Sequence, residues 1–365
     1  MKLSDLPTPC LVLDRTRLRN NIDTMARTLA RHAVPLRPHM KTAKSIDVAR
    51  LVLAGQPGGI TVSTLAEAEY FSAHGIVDIL LAVGITPKKL DQIAKLNAAG
   101  GGVMVITDDP ATATAIAGHD RPPRALIEID TGEHRGGIAP GDGALLELAK
   151  ILGPNLAGVL THAGHSYAGR STTEMAAIAE AERAGIVAAA QRLRQAGYAC
   201  DIVSAGSSPT AMHAKNLDGL TEMRAGVYMF GDLFQAEIGT HAIDDIAVTV
   251  LASVIGRRAG KLLVDAGGLA LSKDRSTEAT GYDYGFGLVL DTAGQRSFGH
   301  SLVRQAYQEH GVIEIDGNHP IDLAIGGHVR IAPNHACMTA AAHDRYYVVD
   351  GGNEVVAVWP RVNGW

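Results

Sequence analysis

Two textures of apolar and polar positions divide the chain. From about residue 15 to residue 245, short β-branched runs alternate with stretches whose apolar residues recur every three or four positions. Leu18, Ile22, Met25 and Leu29 follow one another at spacings of four, three and four, which puts them on one face of a helix. Pro35 and the LRPHM run (36–40) then read as a strand. The alternation continues with GITVS (59–63), VDILLAV (77–83), GVMVITDD (102–109), RALIEID (124–130), LAGVLTHAG (156–164), DIVSAG (201–206) and TEMRAG (221–226). With LRPHM these are eight strands, most of them followed by helical sequence. Eight βα units in about 230 residues is the arithmetic of a (β/α)8 TIM-type barrel. A doubly wound sheet would carry GxGxxG after its first strand, and this chain does not.

The tail lacks a helical period. AVTVLASVIG (247–256), GKLLVDAGG (260–268), HVRIAPNHAC (328–337) and YYVVDGGNEVVAVW (346–359) read as strands separated by glycine-rich turns. The expected organisation is an α/β barrel over residues 16–245 and a mostly β domain over 246–365, joined by an N-terminal strand within 1–15 that contains TPCLVLD. Composition narrows the class. At 365 residues, 46% hydrophobic and 19% charged, without polar tracts, the chain reads as a globular enzyme. A net charge of −5 provides no basic field for nucleic acid or anionic lipid, and no apolar run approaches a bilayer span. The opening residues do not read as a signal peptide, and Cys10, Cys200 and Cys337 are too few for a disulfide framework. A reducing cytoplasm is expected.

In a parallel barrel the catalytic groups belong just after the C-terminal ends of strands. The polar and glycine-rich segments fall there: PHMKT with His39 and Lys41, DTGEHRGG with Arg135, THAGHSY with His162, His165 and Tyr167, SAGSSPT (204–210), and RAGVYMFGD with Tyr228 and Asp232. A lysine after a strand is ordinarily a solvated charge, and Lys44 is read that way. Lys41 differs in being expected at the barrel mouth, where burial would lower an amine's pKa enough for Schiff-base chemistry. In SAGSSPT, Gly206 lets the backbone approach an anion, while Ser207, Ser208 and Thr210 supply hydroxyls. A polar turn would look the same, but the position after strand seven favours phosphate.

PNHACMT places His335 and Cys337 one residue apart, on one face of an extended segment, and imidazole plus thiolate suits zinc. A buried cysteine beside a satisfied histidine is the competing interpretation. Two protein ligands would leave the open position that a Lewis acid needs. VDAGGLALSKD (264–274) reads as a hairpin. GYDYGFG (281–287) reads as a site lining or a stiffened loop, and His310 in QEHG as a surface turn or a ligand neighbour. Tyr167 and Tyr228 are candidates to hydrogen-bond a cofactor ring.

Taken in order, TPCLVLD, RPHMKT (37–42), HAGHSY (162–167), GSSPT (206–210), DAGGLALSKD, QEHG and PNHAC resemble the D-serine dehydratase and D-threonine aldolase family, fold-type III pyridoxal-phosphate enzymes related to alanine racemase. The resemblance extends over nearly the whole chain. It implies that Lys41 is the Schiff-base and catalytic lysine, that Gly206, Ser207 and Ser208 lie near the cofactor phosphate, and that Arg135, His162, Tyr167 and Tyr228 surround the cofactor. It also implies that His335 and Cys337 hold a divalent metal, zinc in preference to manganese or magnesium. Aldolase-type members tend to carry His-x-Asp, so the His-x-Cys here looks like the dehydratase branch. The implied activity is a lyase acting on D-β-hydroxy amino acids, a D-serine or D-3-hydroxyaspartate-type dehydratase releasing a keto acid and ammonia. A D-threonine-type aldolase yielding glycine and an aldehyde is the alternative. A non-catalytic pyridoxal-phosphate carrier in cofactor homeostasis would need neither the β domain nor the metal pair. A homodimer is expected from the same resemblance.

Overall fold

The computed structural model describes residues Met1–Trp365. It divides into two compact units, Met25–Gly226 with Val362–Trp365, and Met1–Thr24 with Val227–Arg361. No helix is long and apolar enough to cross a membrane.

Chain order begins with β1 (Cys10–Asp14) and continues through β2 (Leu36–Pro38), β3 (Ile60–Val62), β4 (Ile79–Gly84), β5 (Val103–Thr107), β6 (Ala125–Ile129), β7 (Leu156–Thr161), β8 (Ile202–Ala205) and β9 (Glu222–Ala225). Strands β2 to β9 are the eight read from the sequence. They form one parallel eight-stranded sheet in the order β2-β9-β8-β7-β6-β5-β4-β3. The ring closes where the Met40 amide donates to the Thr61 carbonyl at 2.8 Å, beside a parallel bridge between His39 and Thr61. Leu80, Met104, Ile106, Leu126, Ala157 and Leu160 cluster together. All lie on the adjacent strands β4 to β7.

The helix Thr172–Gln195 shows how sequence sets the outer layer. Ser171 caps its start by accepting from the Glu174 amide, and Met175, Ala179, Ile186, Ala189, Ala190 and Leu193 form its buried stripe. One charged residue, Glu182, sits in that stripe.

The second unit is built on a nine-stranded sheet completed by β10 (Val248–Arg258), β11 (Lys261–Val264), β12 (Leu288–Leu290), β13 (Leu302–Ala306), β14 (Gly311–Glu314), β15 (His328–Ala332), β16 (Arg345–Val349) and β17 (Val355–Pro360). β1 joins it, antiparallel to β10 and parallel to β16. Strands β12, β13 and β14 were not read from the sequence. β12 has only three residues, and the ladder between β13 and β14 shifts register between Val303 and Gln305, which breaks the two-residue alternation. VDAGGLALSKD is not a hairpin. After β11 the chain turns into a short helix, Gly268–Leu271, and leaves it at Ser272. A Cβ on Gly267 would lie 2.4 Å from the Gln308 carbonyl oxygen, so this close passage requires glycine.

Inside the barrel, Arg37 Nε donates to Glu222 at 2.7 Å and its other nitrogens reach Asp78 at 2.9 and 3.0 Å. The Arg37 and Glu222 side chains are 5% and 11% exposed, whereas Asp78 is 45% exposed. Removing the guanidinium strands a buried carboxylate, so Arg37→Met lowers unfolding free energy by about 3–5 kcal/mol. Asp78→Asn, at the wet end of the same network, changes it by about 1 kcal/mol or less. Urea unfolding of both variants checks this ordering; equal losses would contradict it.

Candidate functional site

The barrel unit gathers its chemistry at the strand ends. Lys41 lies in the turn after β2, one residue beyond the Met40 amide that closes the ring. It is exposed, so the burial expected for it from the sequence does not occur. It sits in a five-residue turn closed by the Lys44 amide on the Met40 carbonyl at 2.7 Å. Lys44 is also not the solvated charge expected. It has a left-handed φ of 50°, and its Nζ is 3.2 Å from the buried Glu67 carboxylate, which anchors the turn that carries Lys41.

His162 follows β7, and its Nδ1 donates to the Gly206 carbonyl at 2.9 Å. Burial, added to the positive charges of Lys41, Arg224 and Arg135, outweighs that bond and pushes its pKa down to about 3. The ring is therefore neutral, with Nδ1 protonated and Nε2 left as the acceptor. His39 is pushed well below its usual range, first by burial and then by the charges of Lys41 and Arg224.

Gly206 follows β8 with φ of 131°, and a Cβ there would sit 2.3 Å from the Arg224 carbonyl oxygen. Only glycine permits that approach. Ser207 caps the short helix Ser208–His213: its side chain accepts from the Thr210 amide, and Thr210 returns the bond to the Ser207 amide. The Ser166 and Ser207 hydroxyls are 2.8 Å apart, which ties this turn to the segment after β7. Ser207 and Ser208 are both buried. Tyr167 is half-buried in the helical turn Gly164–Ala168, and its carbonyl accepts from Arg170. Arg135 is exposed on the loop after β6, with Glu133 at 3.2 Å.

Two residues that sequence reasoning did not single out hold this arrangement. Arg224 on β9 is buried and donates to Ser204 Oγ at 2.7 Å and the Thr161 carbonyl at 2.5 Å, and burial pulls its pKa down to about 10. Glu182 Oε1 accepts from the amides of Ala163 and Gly206, each at 2.9 Å. The signal for Glu182 was its place in an otherwise apolar helical stripe. Arg224 was legible as an arginine inside a strand of the barrel, where an unpaired charge is costly.

Tyr228 belongs to the other unit, where it is buried; burial raises its pKa and its carbonyl accepts from His241 Nε2 at 2.7 Å. His335 and Cys337 are in that unit too, but not on one extended face. β15 ends at Ala332, His335 is the extended N-cap of the helix Ala336–Ala340, and Cys337 lies within that helix. The helix starts there because Asp232 Oδ2 takes the otherwise unpaired Ala336 amide at 3.0 Å. The two side chains still meet through a hydrogen bond. Burial opposes charge on His335, yet the hydrogen bonds it donates to Asp274 and Cys337, with Asp232 nearby, push its pKa up to about 11. Asp274 Oδ2 lies 3.4 Å from His335 Nδ1. These acidic partners favour a cation at this point, and the imidazole–thiol donor set suits a borderline-soft metal. No group of three or more His, Cys, Asp or Glu side chains is set to hold a metal, so the pair would leave coordination positions open. His310 is exposed at the turn between β13 and β14, and Tyr282 stacks edge-on with Tyr284 at 4.7 Å.

The His162 geometry has a consequence for stability. Its folded pKa of about 3 lies below the ordinary 6.5, so below pH 6.5 the unfolded chain binds a proton that the folded one does not. Its contribution is complete above that pH and is lost as pH falls towards 3. Between pH 6.5 and 5 the loss is about 2 kcal/mol. His162→Gln should therefore flatten the acid-side decline in urea-measured stability by about that amount. An unchanged slope would show that the imidazole is not held neutral.

The family model described as alanine racemase, N-terminal domain, matches residues 13–233, and a putative serine dehydratase domain matches residues 247–349. D-threo-3-hydroxyaspartate dehydratase of Delftia sp. (strain HT23) is 44% identical over 378 residues, spanning 100% of this chain and 99% of its own length. A cysteine-to-alanine variant of D-threo-3-hydroxyaspartate dehydratase, solved in the metal-free form, superposes with a TM-score of 0.95 at 42% identity over 100% of both chains. D-serine dehydratase of Dictyostelium discoideum is 30% identical over 398 residues, spanning 100% of this chain and 98% of its own length. The chain belongs to the D-serine dehydratase and D-threonine aldolase family of fold-type III, alanine-racemase-like proteins, within its dehydratase-like branch.

Proposed function

We propose that this protein is a pyridoxal-phosphate- and divalent-metal-dependent lyase that converts a D-β-hydroxy amino acid to a keto acid and ammonia, with D-3-hydroxyaspartate favoured over D-serine as substrate. The observation that carries the proposal is the strand-end cluster of Lys41, His162 and the Gly206–Ser208 turn, in a chain 44% identical over its full length to a D-threo-3-hydroxyaspartate dehydratase.

Lys41 is the residue to hold the cofactor's aldehyde carbon through Nζ, and its exposure leaves that amine open to reaction. The bare backbone at Gly206 and the hydroxyls of Ser207 and Ser208 fit a phosphate, and neutral His162 offers a flat, uncharged ring fixed by Gly206. Arg135, Tyr167 and Tyr228 complete the proposed cofactor set. Pyridoxal phosphate, when bound, delocalises the electron pair left at the α-carbon. Lys41 Nζ, once displaced by the substrate amine, takes the α-proton. His335 and Cys337 hold the metal, zinc by their donor chemistry, and Asp274 orients the imidazole through Nδ1. A divalent ion there supplies the Lewis acidity that makes hydroxide a competent leaving group. The released enamine hydrolyses in water to keto acid and ammonia.

The three cysteines form no disulfide, which fits a reducing compartment, and we assign the protein to the cytoplasm. Leu269, Tyr307 and Met338 are 55%, 60% and 54% exposed, apolar side chains that a second copy of the chain would cover in a homodimer.

The test is product analysis with D-3-hydroxyaspartate, D-serine and D-threonine, before and after chelation. The expected result is ammonia and keto acid from the first two, highest for D-3-hydroxyaspartate, lost on chelation and restored by zinc. Glycine as the main product would make the protein an aldolase, and full activity after exhaustive chelation would make His335 and Cys337 structural.

A further inference from the structure

Glu182 is a charged group placed where the sequence pattern calls for an apolar one. It lies on the buried face of Thr172–Gln195, among Met175, Ala179, Ile186 and Leu193, and is 1% exposed. Burying a carboxylate there is unfavourable unless its oxygens are matched by donors. Both donors to Oε1 are backbone amides at strand ends, Ala163 after β7 and Gly206 after β8, each at 2.9 Å. Its hydrogen bond to the Thr210 side chain reaches the cap of the next helix, and Arg224 supplies the opposing charge.

The two amides flank the groups assigned to the cofactor. Ala163 follows His162 directly, and Gly206 both opens the Ser207–Ser208 turn and accepts the His162 Nδ1 proton at 2.9 Å. A single oxygen therefore closes a loop that runs from Gly206 through His162 and Ala163 and back to Gly206. We propose that Glu182 is a positioning residue of the cofactor site, clamping the His162 segment to the Gly206–Ser208 turn so that ring and phosphate contacts share one fixed spacing. The inference rests on the pyridoxal-phosphate reading above. It assigns Glu182 no contact with the cofactor; the residue acts through two backbone amides.

The clamp depends on reach and on an acceptor oxygen, and substitutions separate these. Glu182→Gln keeps a carbonyl oxygen at the same reach. Glu182→Asp keeps the charge but is one methylene short of spanning both amides. Ile186→Ala, on the same buried face, reports what loosening the helix does by itself. Each cofactor-free variant is titrated with pyridoxal phosphate, with far-UV circular dichroism to verify folding and phosphorus-31 NMR of the bound cofactor. Glu182→Gln should bind within about threefold of the parent. Glu182→Asp should bind about tenfold or more weakly, a change of about 1.4 kcal/mol, with a displaced phosphorus resonance. Ile186→Ala should melt at lower temperature yet bind as the parent does. Parent-like binding and resonance in Glu182→Asp, equal weakening in Glu182→Gln, or equal weakening in Ile186→Ala would each overturn the proposal. Should Glu182→Asp not fold, amide hydrogen exchange in the parent decides. Ala163 and Gly206 must gain protection together when pyridoxal phosphate binds, and no change at either overturns the clamp. A parent that does not bind pyridoxal phosphate defeats the cofactor reading itself, whereas a parent that binds and variants that match it defeat only the role of Glu182.

Discussion

Closing eight parallel strands into a ring is the constraint on which the barrel chemistry depends. A parallel sheet sends every strand's carboxyl end to the same rim, so residues far apart in sequence meet there without any need for local contact. The closing hydrogen bond, from the Met40 amide to the Thr61 carbonyl at 2.8 Å, lies immediately before Lys41. The segment that completes the barrel is thus also the one that presents the amine proposed to hold the cofactor. Lys44, paired with buried Glu67 at 3.2 Å, fixes the far side of the same turn.

A ring of backbone hydrogen bonds sets strand ends only to within a loop's freedom, and buried charge narrows that freedom. Arg37 with Glu222, Arg224 with Ser204 and the Thr161 carbonyl, and Glu182 with the Ala163 and Gly206 amides form three buried polar ties within the barrel unit. None would improve on a well-packed apolar core for stability, since each charge is desolvated. What they provide is direction: each group satisfies a named backbone or side-chain partner at a strand end, so each fixes a position that packing alone leaves loose. The other unit uses the same device, with Asp232 holding the Ala336 amide and Asp274 beside His335.

Much of this was legible in the sequence. Most of the barrel strands announce themselves because parallel strands buried on both faces are short β-branched runs separated by helical periodicity, whereas β2 and β9 contain no β-branched residue. Gly206 was readable as a strand-end position that admits no side chain, and its φ of 131° beside the Arg224 carbonyl agrees. The hairpin expected at 264–274 failed because the glycine pair Gly267–Gly268 serves a close backbone passage and a helix start, not a two-residue turn. The extended face expected for His335 and Cys337 failed because Asp232, about a hundred residues earlier in the chain, supplies the hydrogen bond that starts a helix between them. Burial of Lys41 was inferred from barrel topology, but a turn one residue past the closure carries it into solvent. Glu182 and Arg224 stand out in the sequence only as charges at positions whose pattern calls for apolar residues; the partners that satisfy them are long-range and leave no periodic trace.

The central claim is that Lys41 carries the cofactor, and covalent trapping tests it most directly. Borohydride reduction of the purified protein with pyridoxal phosphate bound, followed by peptide mapping, should place one pyridoxyl group on Lys41. A label on Lys44, or none on any lysine, would contradict the account.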